Sequence, residues 1–237
     1  MYVLIAVFLL AAGTGLQAEK LPEWMLPLRD AVYEQQLKAD EVEPLYRAAK
    51  TAAQEHYSGT ALDLALSRCE YFMGRVIQDG GKRDKEARAR YDEGLRLAEK
   101  ALNTSPSADA WLLRTQNLSQ ACSIGPWSYT MAHGLDVEKF AKNVLAFDSR
   151  NAAAQFIIAA RWIYAPSPWN DIKKGIEMMK AIPENSDMEK DDYFNVYSSI
   201  GYGYIQQKKY AEARPWLLQA QKIYPTNKNI IDLLEKK

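Results

Sequence analysis

The sequence predicts an all-α protein: a superhelix of stacked antiparallel helix pairs, about eleven helices in all. Three observations lead there. Apolar residues recur at helical spacing, and no stretch shows the period-two alternation of a half-buried strand. Short breaks bearing Pro, Gly, Ser or Asn divide the chain, without a Pro- or Gly-rich linker, so one domain over 19–237 is the simplest account. One stretch, residues 194–227, carries two matched stripes. Tyr197, Ile200, Gly201 and Tyr204 fall at i, i+3, i+4 and i+7 on a first helix. Ala213, Leu217 and Ala220 fall at i, i+4 and i+7 on a second, which Pro225 ends. Gly201 and Ala213 are small enough for two backbones to approach closely.

With Tyr210 ahead of Ala213, this stretch resembles a helical hairpin of the tetratricopeptide repeat (TPR) family. A single repeat cannot bury its apolar face alone, so the resemblance implies further pairs stacked on it. It implies a scaffold and names no reaction.

The chain has 237 residues, with Lys plus Arg and Asp plus Glu both at 30. A zero net charge argues against nucleic acid as a partner. Residues 1–18 read as a secretory signal peptide: Val3–Ala12 is an apolar run too short to span a bilayer, Gly13 and Gly15 break it, and Leu16-Gln17-Ala18 offers a cleavage site. The expectation is an exported, periplasmic or secreted protein with no membrane span in the mature chain. Cys69 and Cys122 then face an oxidising compartment, where they either bridge or serve as small core residues.

The elements follow in order. Pro27 suits the first turn of a helix over about 27–39, and Pro44 that of the next, over about 43–57. Ser58-Gly59 stops it, and Thr60-x-x-Asp63 reads as a capping box opening a helix that ends at Asp79-Gly80-Gly81. Arg83–Leu102 is a charged helix whose opening charges alternate in sign, a solvated face. Ser107 caps a helix carrying Trp111 and Leu118 and ending near Cys122. Residues 123–134 read as a loop, followed by a helix over about 135–147. Residues 152–165 form another helix, a second Pro-Trp turn spans 165–170, and Ile172, Ile176 and Met179 mark its partner, closed by Pro183. Ser186-x-x-Glu189 caps the hairpin described above. Residues 228–237 form a terminal helix covering the last apolar face.

Two further resemblances rest on particular residues. Arg161-Trp162-Ile163-Tyr164 followed by Pro168-Trp169, and Ala213-Arg214-x-Trp216-Leu217 followed by Ala220 and Pro225, are similar to the regulator-of-microtubule-dynamics family. Tyr91–Ala101 and the overall layout resemble the helical accessory components of TRAP transporters. Both imply helical folds that bind partner proteins or apolar ligands, lipids among them, without enzyme activity.

The residues agree with a non-enzyme. No phosphate-cradling loop, nucleophile elbow or paired-histidine zinc motif is present in the sequence. His56 reads as a helix-end residue and His133 as a loop residue. Glu189, Asp191 and Asp192 open a helix, where carboxylates favour the dipole. No metal or cofactor is expected.

The candidate site lies on the concave face. One residue past the core stripe, the first helices present Leu112 and Gln116, Phe156 and Ala160, and Ser198 and Tyr202, each pair at i and i+4 and none charged. Such a groove lacks the cations that clamp a peptide carboxylate. It suits a partner protein or, alternatively, an apolar small molecule or lipid. Gly125-Pro126-Trp127 and Ser167-Pro168-Trp169 fall at equivalent places in consecutive pairs. Trp127 and Trp169 are expected on one rim, with Tyr129 and Tyr164 nearby. The competing expectation is that each Trp folds back as a plug on its own helix ends.

Overall fold

A computed structural model describes residues 21–81 and 83–236 of the chain. After a 3-10 turn at Glu23–Met25 come eleven α-helices: α1 Leu26–Glu34, α2 Ala39–His56, α3 Gly59–Asp79, α4 Asp84–Thr104, α5 Ala108–Ile124, α6 Trp127–Phe147, α7 Ala152–Tyr164, α8 Ile172–Asn185, α9 Lys190–Gln206, α10 Tyr210–Ile223 and α11 Lys228–Leu234. No strand occurs among the described residues. The chain is all-α, and neighbouring helices pack in the order of a repeat superhelix. The expected signal segment, residues 1–18, lies outside the described residues.

Short polar side chains cap four of the helix starts. Ser107 caps α5 as expected, its hydroxyl accepting from the Ala110 amide at 3.2 Å. Asn151, Asp171 and Asn227 do the same for α7, α8 and α11. Two expected caps are placed differently. α3 begins at Gly59, directly after Ser58, so Thr60 lies inside the helix and Asp63 is buried, accepting from Lys100 Nζ at 2.9 Å. Glu189 is the N-cap of α9, and its amide donates to Asp192 Oδ2 at 3.0 Å. Ser186 instead turns back to the Ile182 carbonyl. Two carboxylates at the positive end of α9 also match its dipole.

Three boundaries shift. Gln35 enters the left-handed region at φ 55°, ending α1 earlier than expected. α2 begins at Ala39, which places Pro44 inside the helix rather than in its first turn. Pro183 lies within α8 rather than closing it.

The largest correction concerns 123–134, which is mostly helix. Pro126 takes the N-cap position, and the Tyr129 and Thr130 amides donate to its carbonyl at 2.9 and 3.2 Å. Pro has no amide to leave unsatisfied there and holds a φ compatible with helix entry. His133 is therefore a mid-helix residue, its ring 4.4 Å from that of Tyr129.

The helices pair as α3 with α4, α5 with α6, α7 with α8 and α9 with α10. Glycines set the closest crossings. A methyl group on Gly201 would lie 2.5 Å from Leu217 Cδ2 and 2.6 Å from its Cγ. Gly175 on α8 stands in the same relation to Ile163 on α7.

The two ends of the stack meet. Tyr33 of α1 stacks on Tyr224 with centroids 5.0 Å apart and meets the edge of Phe194 at 5.5 Å. The turn before α11 grips the end of α1. The Thr226 hydroxyl donates to the Glu34 carbonyl at 2.8 Å, Asn227 Nδ2 to the Tyr33 carbonyl at 2.7 Å, and the Lys228 amide to Gln35 Oε1 at 3.0 Å. One core runs from Met25 through this seam to Ile230. The superhelix is thus a ring, and α11 is part of the seam as well as a cover for the last pair.

Cys69 and Cys122 are both free and buried. Burial pushes the Cys69 thiol up to about 12 and the Cys122 thiol up to about 11, so neither is reactive at neutral pH. Reductant should leave the melting temperature unchanged, and thiol alkylation should be slow until the protein unfolds.

Candidate functional site

The ring surrounds a solvent-open cavity of about 1740 Å³. Its wall comes from α1, α3, α5, α7 and α9, completed by the first half of α6 and by α11. The predicted site residues Leu112, Gln116, Trp127, Phe156, Ala160, Tyr164, Trp169, Ser198 and Tyr202 all line it. Leu112 does so only marginally, because most of its side chain packs against Val144 and Ala154 in the core.

Tyr129 does not line the cavity. The correction follows from that of the loop. On a helix, Tyr129 lies about 200° round the axis from Trp127. Its ring sits under the Arg88 guanidinium at 3.8 Å and packs beside Leu118 and Cys122.

The two tryptophans meet. The Trp127 and Trp169 ring centroids are 5.8 Å apart at an interplanar angle of 44°. They are 56% and 50% exposed, so neither is a plug on its own helix ends. Trp127 is the first residue of α6. Trp169 is held by the turn after α7, where the Trp169 amide donates to the Pro166 carbonyl at 2.9 Å and the Asp171 amide to the Trp162 carbonyl at 3.0 Å.

Tyr164 stacks on Tyr202 at 5.2 Å and shares a hydrogen bond with Ser199 Oγ at 2.9 Å. About half of its surface is open, yet that surface faces the cavity. The surrounding protein raises its phenol above the ordinary value by desolvation, an effect that Ser199 partly offsets.

Two sets of wall residues escape a reading based on the first helices alone. Met131 and Leu135 follow Trp127 at i+4 and i+8, forming one apolar stripe on α6, and Leu135 is 72% exposed. Their spacing is visible in the sequence once 127–134 is read as helix. The second set is charged, which corrects the expectation of a neutral groove. Arg68 and Arg75 of α3, Arg161 of α7, and Asp191 and Asp192 of α9 also line the wall. Burial pushes the Asp192 carboxyl up to about 7, against the pull of the Glu189 amide.

His, Cys, Asp and Glu side chains form no group able to hold a metal ion among the described residues. No helix among them is long and apolar enough to cross a membrane. The class that the fold and cavity define is an all-helical repeat superhelix closed around a central chamber. The chain matches no protein-family model and no curated protein.

Proposed function

We propose that this chain is a non-enzymatic, exported TPR-like binding protein that holds an apolar small molecule or lipid inside its ring, in the manner of a transport accessory protein. The closure of the ring carries this reading. A peptide laid along the concave face of a superhelix needs that face open from end to end, and the Tyr33–Tyr224 seam joins the two ends. The wall keeps large apolar side chains half exposed or more at Trp127, Met131, Leu135 and Trp169. Contiguous exposed apolar surface of this kind marks a binding site. The cavity exceeds the roughly 300–1,000 Å³ of ordinary small-ligand pockets, which suits a ligand with a long apolar body. Export rests on the signal-like segment 1–18. Native mass spectrometry before and after organic extraction tests the reading. A mass excess that extraction removes is expected, and a clean apo mass from the first spectrum would count against it.

A second reading, a partner protein bound through the groove and its rim, is favoured by one observation. The Trp127–Trp169 pair is a large, half-exposed aromatic surface of the kind that anchors interfaces. The double substitution Trp127→Ala, Trp169→Ala should leave the melt within about 1 kcal/mol of the parent, well short of the roughly 3–5 kcal/mol for truncating buried aromatics. Binding of ligand or partner should fall. Unchanged binding in a stable double variant would remove the pair from the site.

A further inference from the structure

We propose that Arg75 receives the carboxylate head of a singly charged amphiphile whose apolar body lies along the α6 stripe and the Trp127–Trp169 pair. This rests on the ligand-binding reading above and adds the chemistry of the ligand's polar end.

The cavity's arginines are not equivalent. Arg150 meets Asp187 Oδ1 at 2.9 Å, Arg68 meets Asp109 at 3.5 Å, and Arg161 is tightly paired with Glu138. Among the described residues, Arg75 has only a marginal partner. Its nearest carboxylate oxygen, Asp79 Oδ2, is 4.0 Å away, and that oxygen also accepts from Gln35 Nε2 at 3.2 Å. Among the described residues the one close polar neighbour of Arg75 is the Tyr71 hydroxyl, at 3.2 Å from Nη1. The rings of Tyr33 and Tyr71 flank the guanidinium at 6.0 Å each. The side chain is only 20% exposed, and it lines the cavity.

A guanidinium carries five N–H donors in a rigid fork and stays protonated. Partly buried, with one hydroxyl and one marginal carboxylate as partners among the described residues, it keeps donors free on its cavity side. A carboxylate entering from the cavity would take two of those donors side by side. Asn195 Nδ2 donates to the Tyr33 hydroxyl at 3.2 Å and Tyr164 pairs with Ser199, and all four residues line the same cavity.

The head group's charge is bounded by the rest of the wall. Asp79, Asp191 and Asp192 line the same cavity, and Asp191 Oδ1 is buried with Arg29 Nη1 at 3.7 Å and no hydrogen-bond donor. A doubly charged phosphate would meet one under-paired cation and several acids. A carboxylate, with a single charge, would meet the cation with less repulsion from the same acids. The apolar remainder of the ligand has its counterpart in Trp127, Met131, Leu135 and Trp169 on the same cavity wall.

The test is calorimetric titration of the delipidated full chain with decanoate, 1-decanol, decyl phosphate and acetate. Decanoate should bind about tenfold or more tightly than 1-decanol, the scale of a charge-assisted hydrogen bond. It should also bind more tightly than decyl phosphate, and acetate should bind far more weakly than either alkyl anion. Arg75→Gln should erase the preference for decanoate over 1-decanol, and Arg75→Lys should keep part of that preference. Equal binding of decanoate and 1-decanol overturns this proposal and leaves the apolar-ligand reading standing. A preference that survives Arg75→Gln overturns the assignment to Arg75. Tighter binding of the phosphate overturns the single charge, and acetate binding as strong as decanoate overturns the amphiphile. If neither decanoate nor 1-decanol binds, both readings fall. Should Arg75→Gln not fold, the four-ligand series on the parent protein decides.

Discussion

Gly201→Leu should destabilise the protein by roughly 1–3 kcal/mol, the usual cost of overpacking a well-filled crossing. Even a single added methyl would meet Leu217 Cδ2 at 2.5 Å and Cγ at 2.6 Å, so α9 and α10 must separate to admit a larger side chain. Both helices sit next to the seam, and their displacement would be transmitted to the Phe194–Tyr224 edge contact at 5.1 Å. The measurement is a urea melt, read as the shift in midpoint at constant slope. A helical Gly without close neighbours behaves in the opposite way, because losing its backbone freedom stabilises the helix. A raised midpoint would therefore mean that the α9–α10 crossing is not as close as described.

Glu70→Ala should cost about 3 kcal/mol, the lower end of the range for breaking a buried ion pair. Glu70 is 2% exposed and sits between two cations. Its Oε1 accepts from the Tyr46 hydroxyl at 2.5 Å and from Lys50 Nζ at 2.9 Å, and its Oε2 accepts from Arg90 Nη1 at 3.3 Å. Burial first, then the Glu70 hydrogen bond, pushes the Tyr46 phenol up to about 12. Removing the carboxylate leaves Lys50 and Arg90 facing each other across Tyr46, with only partial access to water to relieve them. That partial access places the expected cost low in the range. Thermal melts of Glu70→Ala and Glu70→Gln at neutral pH check it, with Gln retaining the Tyr46 contact and falling between Ala and the parent. Indistinguishable melts for all three would show that water screens the cluster.

The fold class was legible because the local signals agree with one another. In 194–227, stripe spacing, small residues at the crossing and the terminating Pro all point to one hairpin. At 123–134 they conflict. Gly125-Pro126 reads equally as a loop and as the entry to a helix, and only the packing of α6 on α5 decides between them. That one ambiguity hid the Met131–Leu135 stripe and misplaced Tyr129 and His133. The cavity face was legible where it follows the i, i+4 rule along single helices, as at Phe156 and Ala160. Arg75 was not, because a cation on an amphipathic helix is ordinarily solvated. What confines it is the arrival of α1 beside α3, which no local pattern announces. The seam pairs residues about 190 positions apart, as Asn227 does with Tyr33, and depends on curvature accumulated over every intervening pair.

That seam also changes how the molecule comes apart. A linear array of repeats is stabilised pair by pair, so its two terminal units have one neighbour each and fray first. Here the terminal units are neighbours of each other. Helix α1, only nine residues long, would be marginal as the free end of a stack, yet it is held by the turn at 226–228 and by two aromatic rings. Loss of the seam releases both ends together, which couples their opening in place of independent fraying. Closure also fixes the number of pairs: one more would carry Asn227 past the end of α1 and one fewer would leave it short, so this repeat architecture cannot grow by simple duplication of its units.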